Sequence, residues 1–452
     1  MSNNLIRKAV KMALYAAAGL TLGIQAQADS LDQALTQAWQ SNATLAAERE
    51  TLAAAGNRVD EAQGGYYPQV RLFGDIGYSH NDVDLMPLGP VNLGITNFEL
   101  HSRQIGLELD QALYAGGKIS AGVDAAEHRR DAEEAKLHGL EGRVLLSGAQ
   151  AYMNVLEAQA VLALEQSNEN VLKQALDAAQ ASFDNGEVTH TDVDQAKARL
   201  AGTQAARIQA EGAVTSAEAA YERVIGKSPD SLQPPAPLSG LPASQQDALA
   251  LADHNYDVIA AEAASAAAES GVDVAESGVK PSLTLSAQVS KAHEPQFLFE
   301  RLDTRSIMLN LSMPLFSGGS LTSQVHAAKH EAASSQQQAL DAHRAARDQA
   351  IGAWQAYQTA TAGLAAIQVQ ITAAQSAYDG VVAEHKEGER TTLDVLNAEQ
   401  ELLNAKVNQV KAQSDETVAE YALKAATGTL TAADLHLKVQ APDAASDAAT
   451  SE

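Results

Sequence analysis

Three small groups of residues have types and spacings that could do chemistry. His326 and His330 stand four apart, which on a helix places both imidazoles on one side as metal ligands would be, but no third ligand lies near them. Ile225-Gly226-Lys227-Ser228 has the ending of a phosphate-binding loop. The earlier glycine such a loop needs would fall at 221, which is Tyr221, and the segment closes a helix instead of following a strand. The third group is a pair of turn runs, Asn185 to Val193 and Glu387 to Val395, each carrying an aspartate shortly after a glycine. These are Gly186 with Asp192 and Gly388 with Asp394, and both aspartates fall in the first turn of a helix, where a carboxylate meets the positive end of the dipole. There is no Gly-x-Ser-x-Gly elbow and no His-Glu-x-x-His pair, and the other carboxylates are spread along helices. No enzyme, cofactor or metal site is expected.

The two turn runs are positions of one duplicated unit. Leu113-Tyr114-Ala115-Gly116-Gly117-Lys118 recurs as Leu315-Phe316-Ser317-Gly318-Gly319-Ser320, 202 residues on. Tyr152 falls on Trp354, and Ile225-Gly226 on Thr427-Gly428, at the same spacing, while Tyr67-Pro68-Gln69-Val70 matches Lys280-Pro281-Ser282-Leu283 at 213. Several unrelated motifs sharing one spacing over more than a hundred residues mark a duplication.

Each copy reads helix, strand, loop, strand, very long helix, turn, helix. In repeat 1 (29–226) the first helix runs from Ser30 and Asp32 to about Gln63, strands follow at 69–79 and 103–113, and helices at 118–182 and 189–225. Repeat 2 (244–429) has strands at 282–290 and 305–313 and helices at 320–384 and 391–427. Pro68 and Pro281 lead from helix to strand, Gly116-Gly117 and Gly318-Gly319 from strand to long helix, and Gly186 and Gly388 reverse the long helices. A proline-rich connector at 227–243 joins the copies, and 430–452 reads as an acidic, disordered tail. The first long helix would measure about 98 Å, and the two shorter helices of its copy sum to about 106 Å, which suggests a wall of one long strut against two half-struts. Its apolar residues step by three and four (Ile119, Val123, Ala126; Leu137, Leu140, Val144; Ala151, Val155), as in a coiled-coil seam.

Of 452 residues, 45% are apolar but only 4% aromatic, which suits helices packed closely through alanine. The net charge of −26 excludes nucleic acid as a partner, since phosphate binding needs a basic face. No cysteine is present, which excludes disulfides, thiolate metal sites and lipid attachment at an N-terminal Cys. Residues 1–28 read as a signal peptide: Arg7, Lys8 and Lys11, an apolar stretch from Met12 to Ile24, and an Ala26-Gln27-Ala28 cleavage site. The chain is therefore exported, and any further membrane insertion would be as β-strands.

The strand segments alternate strictly. Ile105, Leu107 and Leu109 oppose Gln104, Glu108 and Asp110; Leu283, Leu285, Ala287 and Val289 oppose Thr284, Ser286, Gln288 and Ser290; Ile307, Leu309, Leu311 and Met313 oppose Asn310 and Ser312. Val70, Leu72 and Ile76 oppose Gln69, Arg71 and Asp75, with Phe73 breaking the polar face. Such segments suit a membrane β-barrel, apolar toward lipid and polar toward the lumen, though a soluble sheet with one wet face shows the same period. Polar loops are expected at 80–101 and 291–304. Four strands cannot close a barrel, so the barrel must be shared between chains. Tyr66, Tyr67, Tyr78, Tyr114 and Phe316 could form interfacial aromatic belts.

The duplicated β–β–long-helix unit, the Gly-Gly after each second strand and the run Gly-Glu-Arg-Thr-Thr-Leu-Asp-Val-Leu-Asn at 388–397 closely resemble the TolC-type outer-membrane channel-tunnel proteins, over about 30–430. The resemblance implies a homotrimer sharing one twelve-stranded β-barrel in the bacterial outer membrane, continued into the periplasm as an all-α coiled-coil tunnel. It implies a passive exit duct, with porin activity, for type I secretion of protein or for small-molecule efflux. Its partners would be a periplasmic adaptor (membrane fusion) protein, an inner-membrane ABC or proton-driven transporter, and outer-membrane lipid. General similarity favours the secretion branch.

The family closes its periplasmic tip with an Arg and Asp residues just after the helical turn. The matching positions are Arg390 and Asp394; the second lumenal aspartate falls on Asn397, so one carboxylate ring would be missing, and His385 replaces a tyrosine of some members. Asp192 is the natural partner for Arg390 across neighbouring hairpins. Without the resemblance, Asp192 and Asp394 read as solvated helix caps. The rival class is a periplasmic coiled-coil adaptor with no pore, which would need no alternating strand pairs.

Overall fold

The computed structural model describes residues 30–84, 95–296 and 299–439. The expected signal peptide and residues 440–452 of the expected tail lie outside the described residues.

Helix α1 (Leu31–Ser41) opens on a capping box, with the Ser30 hydroxyl accepting from the Gln33 amide and the Gln33 side chain from the Ser30 amide. The sequence suggests one helix to Gln63, but the backbone turns extended at Asn42 and restarts as α2 (Ala43–Gly64). The cause is local: Asn42 Oδ1 accepts from the Leu45 amide at 3.0 Å and starts a second helix. Repeat 2 also begins with two helices, α5 (Gln245–Ala252) and α6 (Tyr256–Ser277), the second capped by Asn255. The long helices are α3 (Lys118–Asp184) and α7 (Ser320–Lys386), each of 67 residues or about 100 Å. They are followed by α4 (His190–Ile225) and α8 (Thr392–Ala426). Among the described residues no helix is long and apolar enough to cross a membrane.

The strands are β1 (Gln69–Asp84), β2 (Ile95–Tyr114), β3 (Ser282–Gln296) and β4 (Phe299–Ser312), in one antiparallel sheet of order β1-β2-β3-β4. Each strand runs beyond the segment marked by alternation at its hairpin end; β1 and β3 start where expected, β2 runs one residue further at Tyr114, and β4 stops one residue short at Ser312. Residues 80–84, 95–101, 291–296 and 299–304 are therefore strand where polar loops were expected. Ladder pairs continue there, because backbone bonding does not require apolar side chains. At Pro295, which offers no amide, the register shifts between His293 and Gln296, with Glu294 at φ 47°; a second shift falls between Ala112 and Tyr114 at the other end of β2.

Register sets four rows on one face of the sheet. Val70, Leu109, Ala287 and Ile307 stand side by side, then Leu72, Leu107, Val289 and Arg305. Beyond them come Gly74, Ile105, Lys291 and Asp303, then Ile76, Arg103, His293 and Arg301. The other face is tied by polar contacts: Arg71 pairs with Glu108, Ser286 Oγ donates to Asp110 at 2.7 Å, and Asn310 Nδ2 donates to Ser286 at 3.4 Å. Phe73 lies across Gly106 there, where any Cβ would come within 2.6 Å of the ring.

Contacts divide the chain into two units. The unit holding the sheet comprises Ala46–Leu140 and Ala252–Asp348. Within it the helices are joined by Arg347 to Asp253 at 2.9 Å, Lys329 to Glu276 at 2.9 Å, and His138 stacked on Tyr256. The other comprises, of the described residues, 30–45, Glu141–Leu251 and 349–439, and buries Leu35, Leu145, Tyr152, Tyr221, Ile225 and Leu423. Trp39 donates to the buried Glu141 at 2.7 Å. Tyr152 anchors the connector by donating to the Gln233 carbonyl at 2.7 Å. Residues 430–439, expected as part of a disordered tail, are packed: Leu430, Ala432 and Leu437 are buried, because this stretch still carries apolar residues to cover.

Candidate functional site

Each long helix ends in the same turn. At the first, Gly186 takes a left-handed φ of 78°, its amide donates to the Phe183 carbonyl, and the Glu187 amide donates to Ser182, both at 2.9 Å. At the second, Gly388 (φ 81°) donates to His385 and Glu389 to Glu384, both at 3.0 Å. This is the six-to-one and five-to-two closure that a left-handed residue permits. Three residues past each glycine a threonine opens the next helix. Thr189 and Thr391 are the caps, and Asp192 and Asp394 complete the capping boxes.

The aspartates are thus engaged within the chain. Asp192 Oδ2 accepts from the Thr189 amide at 2.8 Å and from its hydroxyl at 2.7 Å; Asp394 Oδ2 accepts from the Thr391 amide at 2.9 Å and hydroxyl at 2.8 Å. The Thr189 hydroxyl, then its amide, holds the Asp192 carboxyl below the usual carboxylate range. For Asp394 the Thr391 amide contributes most, then the hydroxyl, with Arg390 and His385 adding less. Among the described residues neither Oδ1 accepts a hydrogen bond.

Arg390 turns back to its own hairpin: its Nε donates to Glu384 Oε2 at 2.8 Å, and His385 Nδ1 lies 2.8 Å from the Arg390 carbonyl. Glu384 keeps the guanidinium more firmly protonated than usual. No Arg390–Asp192 ion pair forms within the chain. Asn397, expected to mark a missing carboxylate ring, accepts from Arg199 Nη2 at 2.8 Å, joining α4 to α8. Glu384 and Arg199 went unnoticed in the sequence. Arg199 and Asn397 lie 198 apart, so the 202-residue arithmetic does not pair them. Glu384 precedes the run that carried the resemblance.

Helix pairing beside the turns uses small side chains: Ala179, Val193 and Ala196 form one buried cluster and Ala374, Leu402 and Ala405 the other, where alanine permits close approach. Further along, Asn168 donates to Thr203 at 3.2 Å, and Glu169 holds both Lys173 and Arg207.

At the strand ends Gly116, Gly117, Gly318 and Gly319 all take positive φ. Pro68 and Pro281 directly precede β1 and β3. Tyr66, Tyr67, Tyr78, Tyr114 and Phe316 are at least half exposed. Ile76, Ile307 and Leu311, on the apolar face, are 87%, 79% and 72% exposed, far beyond what a soluble sheet leaves to water. His326 and His330 are exposed on α7.

Comparison with known proteins accounts for this combination. The family model described as outer membrane efflux protein matches residues 34–227 and 249–429. The outer membrane efflux protein BepC of Brucella suis is 32% identical over 436 residues, spanning 96% of this chain and 92% of its own. The outer membrane protein TolC of Escherichia coli K12 is 25% identical, spanning 90% and 84%. Among solved structures, the outer membrane protein VceC of Vibrio cholerae shares the fold with a TM-score of 0.74 at 22% identity, over 88% of this chain and 96% of that one. The adaptor reading is set aside by these matches. An internally duplicated chain with strands for a β-barrel, helices for a tunnel and a matching family model over both copies belongs to the outer membrane efflux protein family of outer-membrane export channels.

Proposed function

We propose that three copies assemble into one twelve-stranded barrel and a helical tunnel that forms a passive exit duct for substrate handed over by an inner-membrane transporter through a periplasmic adaptor. The observation that carries this is the four-stranded sheet with one exposed apolar face and one polar, cross-linked face. A barrel needs about eight strands or more, so a four-stranded sheet requires partners. The exposed Tyr66, Tyr67, Tyr114 and Phe316 at the helix-side strand ends fit one membrane boundary, and Tyr78, six residues inside the far end of β1, fits the other. The lumenal face bears Asp75, Glu108 and Asp110 against Arg71, which pairs with Glu108, and the acidic excess favours cations over anions in transit. The name of the relative at 32% identity supports efflux as the branch, against the secretion that general similarity favours.

The two helical turns form the gate in this reading. Three copies of Asp394 about a narrow axis attract a cation through the free Oδ1 atoms. Arg390 alternates between Glu384 of its own hairpin, 2.8 Å away, and Asp192 of a neighbouring protomer. Such an exchange is a two-state element that docking of an adaptor can bias. Native mass measurement of the detergent-extracted protein tests the assembly: three chains are expected, and a stable monomer contradicts a shared barrel.

A further inference from the structure

We propose that the outward end of the apolar sheet face is a binding site for the phosphate groups of a phosphorylated outer-leaflet lipid. The inference rests on the channel reading above, which places the apolar face against lipid and the helices in the periplasm. The paired strand ends Asp84 with Ile95 and Gln296 with Phe299 lie opposite Pro68, Pro281 and the Gly-Gly turns, and so face outward in that reading.

Along this face the rows change character within three steps, each about 5 Å of barrel height for a tilted strand. The row Val70, Leu109, Ala287 and Ile307 is wholly apolar. The next brings in Arg305, the third Lys291 and Asp303, and the fourth Arg103, His293 and Arg301. Within these four rows four permanent cations thus stand against one carboxylate, where side chains deeper in the band are hydrocarbon; Glu99 and Asp82 follow further out on the same face, beside His80. Asp303 is taken by Arg301 through two bonds, of 2.8 and 3.2 Å. Among the described residues Arg103, Lys291 and Arg305 form no ion pair. His293 has Glu294 at 3.8 Å.

The same place is concave. A groove of about 530 Å³ lies over Gly74, whose missing side chain leaves room beside Ile105 and Ile76. Its basic residues are Arg103, Lys291, His293 and Arg301; Asp75, the one acidic residue bordering it, alternates to the other face of β1. An apolar floor beside exposed cations suits a ligand with acyl chains below and phosphate above. A guanidinium and an ammonium at a membrane boundary satisfy phosphate oxygens while their stems stay in hydrocarbon. An uncharged lipid would leave these cations at the lipid boundary without a counter-ion.

The test titrates the purified protein in detergent with diphosphorylated lipid A, the same lipid stripped of its phosphates, and inorganic phosphate, with binding read by native mass spectrometry. Saturable binding of the phosphorylated lipid is expected, weakened about 30-fold in R103Q/K291Q. R103K/K291R should restore it, and R71Q, altered on the opposite face, should leave it unchanged. Equal binding of the stripped lipid, equal loss in R71Q, or a loss that R103K/K291R does not restore overturns the site. Inorganic phosphate binding as tightly as the lipid also overturns it, since the groove would then be a free-anion site. Channel steps from the same preparations keep the two readings apart. Normal steps with lipid binding unaffected by R103Q/K291Q remove only the lipid site, whereas no steps from the unaltered protein removes the channel.

Discussion

Arg199 donates to Asn397 at 2.8 Å, so the return helix of the first hairpin is bonded to that of the second close to the turns where the tunnel is proposed to close. At the 202-residue spacing that relates the two copies, Arg199 falls on Glu401 and Asn397 on Gln195, so the two bonded residues are not each other's equivalents. This bond therefore joins the repeats and does not recur within each. It gives Asn397 a role that an aspartate would perform with more charge and the same geometry.

Removing that bond should loosen the closed state. R199A and N397A are each expected to raise closed-state conductance. The double variant should do no more than the larger single one, with a coupling of about 0.5–1 kcal/mol for so exposed a pair. Bilayer recordings of the three variants, analysed as a cycle, check this. Simple additivity would place the two residues in separate roles.

Arg390 should act through a neighbouring protomer. R390Q and D192N are both expected to raise closed-state conductance, and together to match either alone. E384Q should leave closure intact, because it only frees Arg390 from its partner within the hairpin. Closure lost in E384Q would instead mean that the intra-hairpin pair holds the tip.

Block by trivalent cations from the periplasmic side should depend on Asp394 and weaken in D394A. Its carboxyl is held below the ordinary range, chiefly by the Thr391 amide and hydroxyl. The block should therefore persist as pH falls through the usual carboxylate range and be lost only below it. The sign follows from the depressed value: the charged form and its capping contribution are complete above the unfolded-state pKa, and vanish as pH drops through the folded one. A block that fades between about pH 6 and 5, roughly one to two units above an unperturbed carboxylate, would contradict the assignment.

The turns themselves should be sensitive to small changes. T391A removes a cap and should destabilise the second hairpin by about 1 kcal/mol. G388A forces a Cβ into a left-handed position and should cost about as much. Faster protease nicking near residue 388 in both variants would register this, and unchanged nicking would mean that neighbouring protomers support the turn.

Several features were legible because one period or one spacing encodes them. Leu283, Leu285, Ala287 and Val289 alternate with polar residues because one face meets an apolar surface, and Gly186 and Gly388 mark the turns because only glycine takes those φ values readily. The outward halves of the strands were not legible. His80, Asp82, Arg301 and Asp303 resemble loop residues, yet the ladder continues through them, since beyond the apolar band the side chains need not be apolar. The break at Asn42 was hidden because asparagine caps a helix by hydrogen bonding that a hydrophobic pattern does not record. The partners of Arg390 and Asn397 depend on which side chains meet after the hairpins pack, information that is absent from either run alone.

The most direct test of the account is single-channel recording of the mature protein in a planar lipid bilayer across a salt gradient. Discrete, long-lived, cation-selective steps are predicted, as expected of three sheets closed into one barrel with an acidic lumen. An intact oligomer that yields no steps would contradict the channel and return the strands to a soluble sheet.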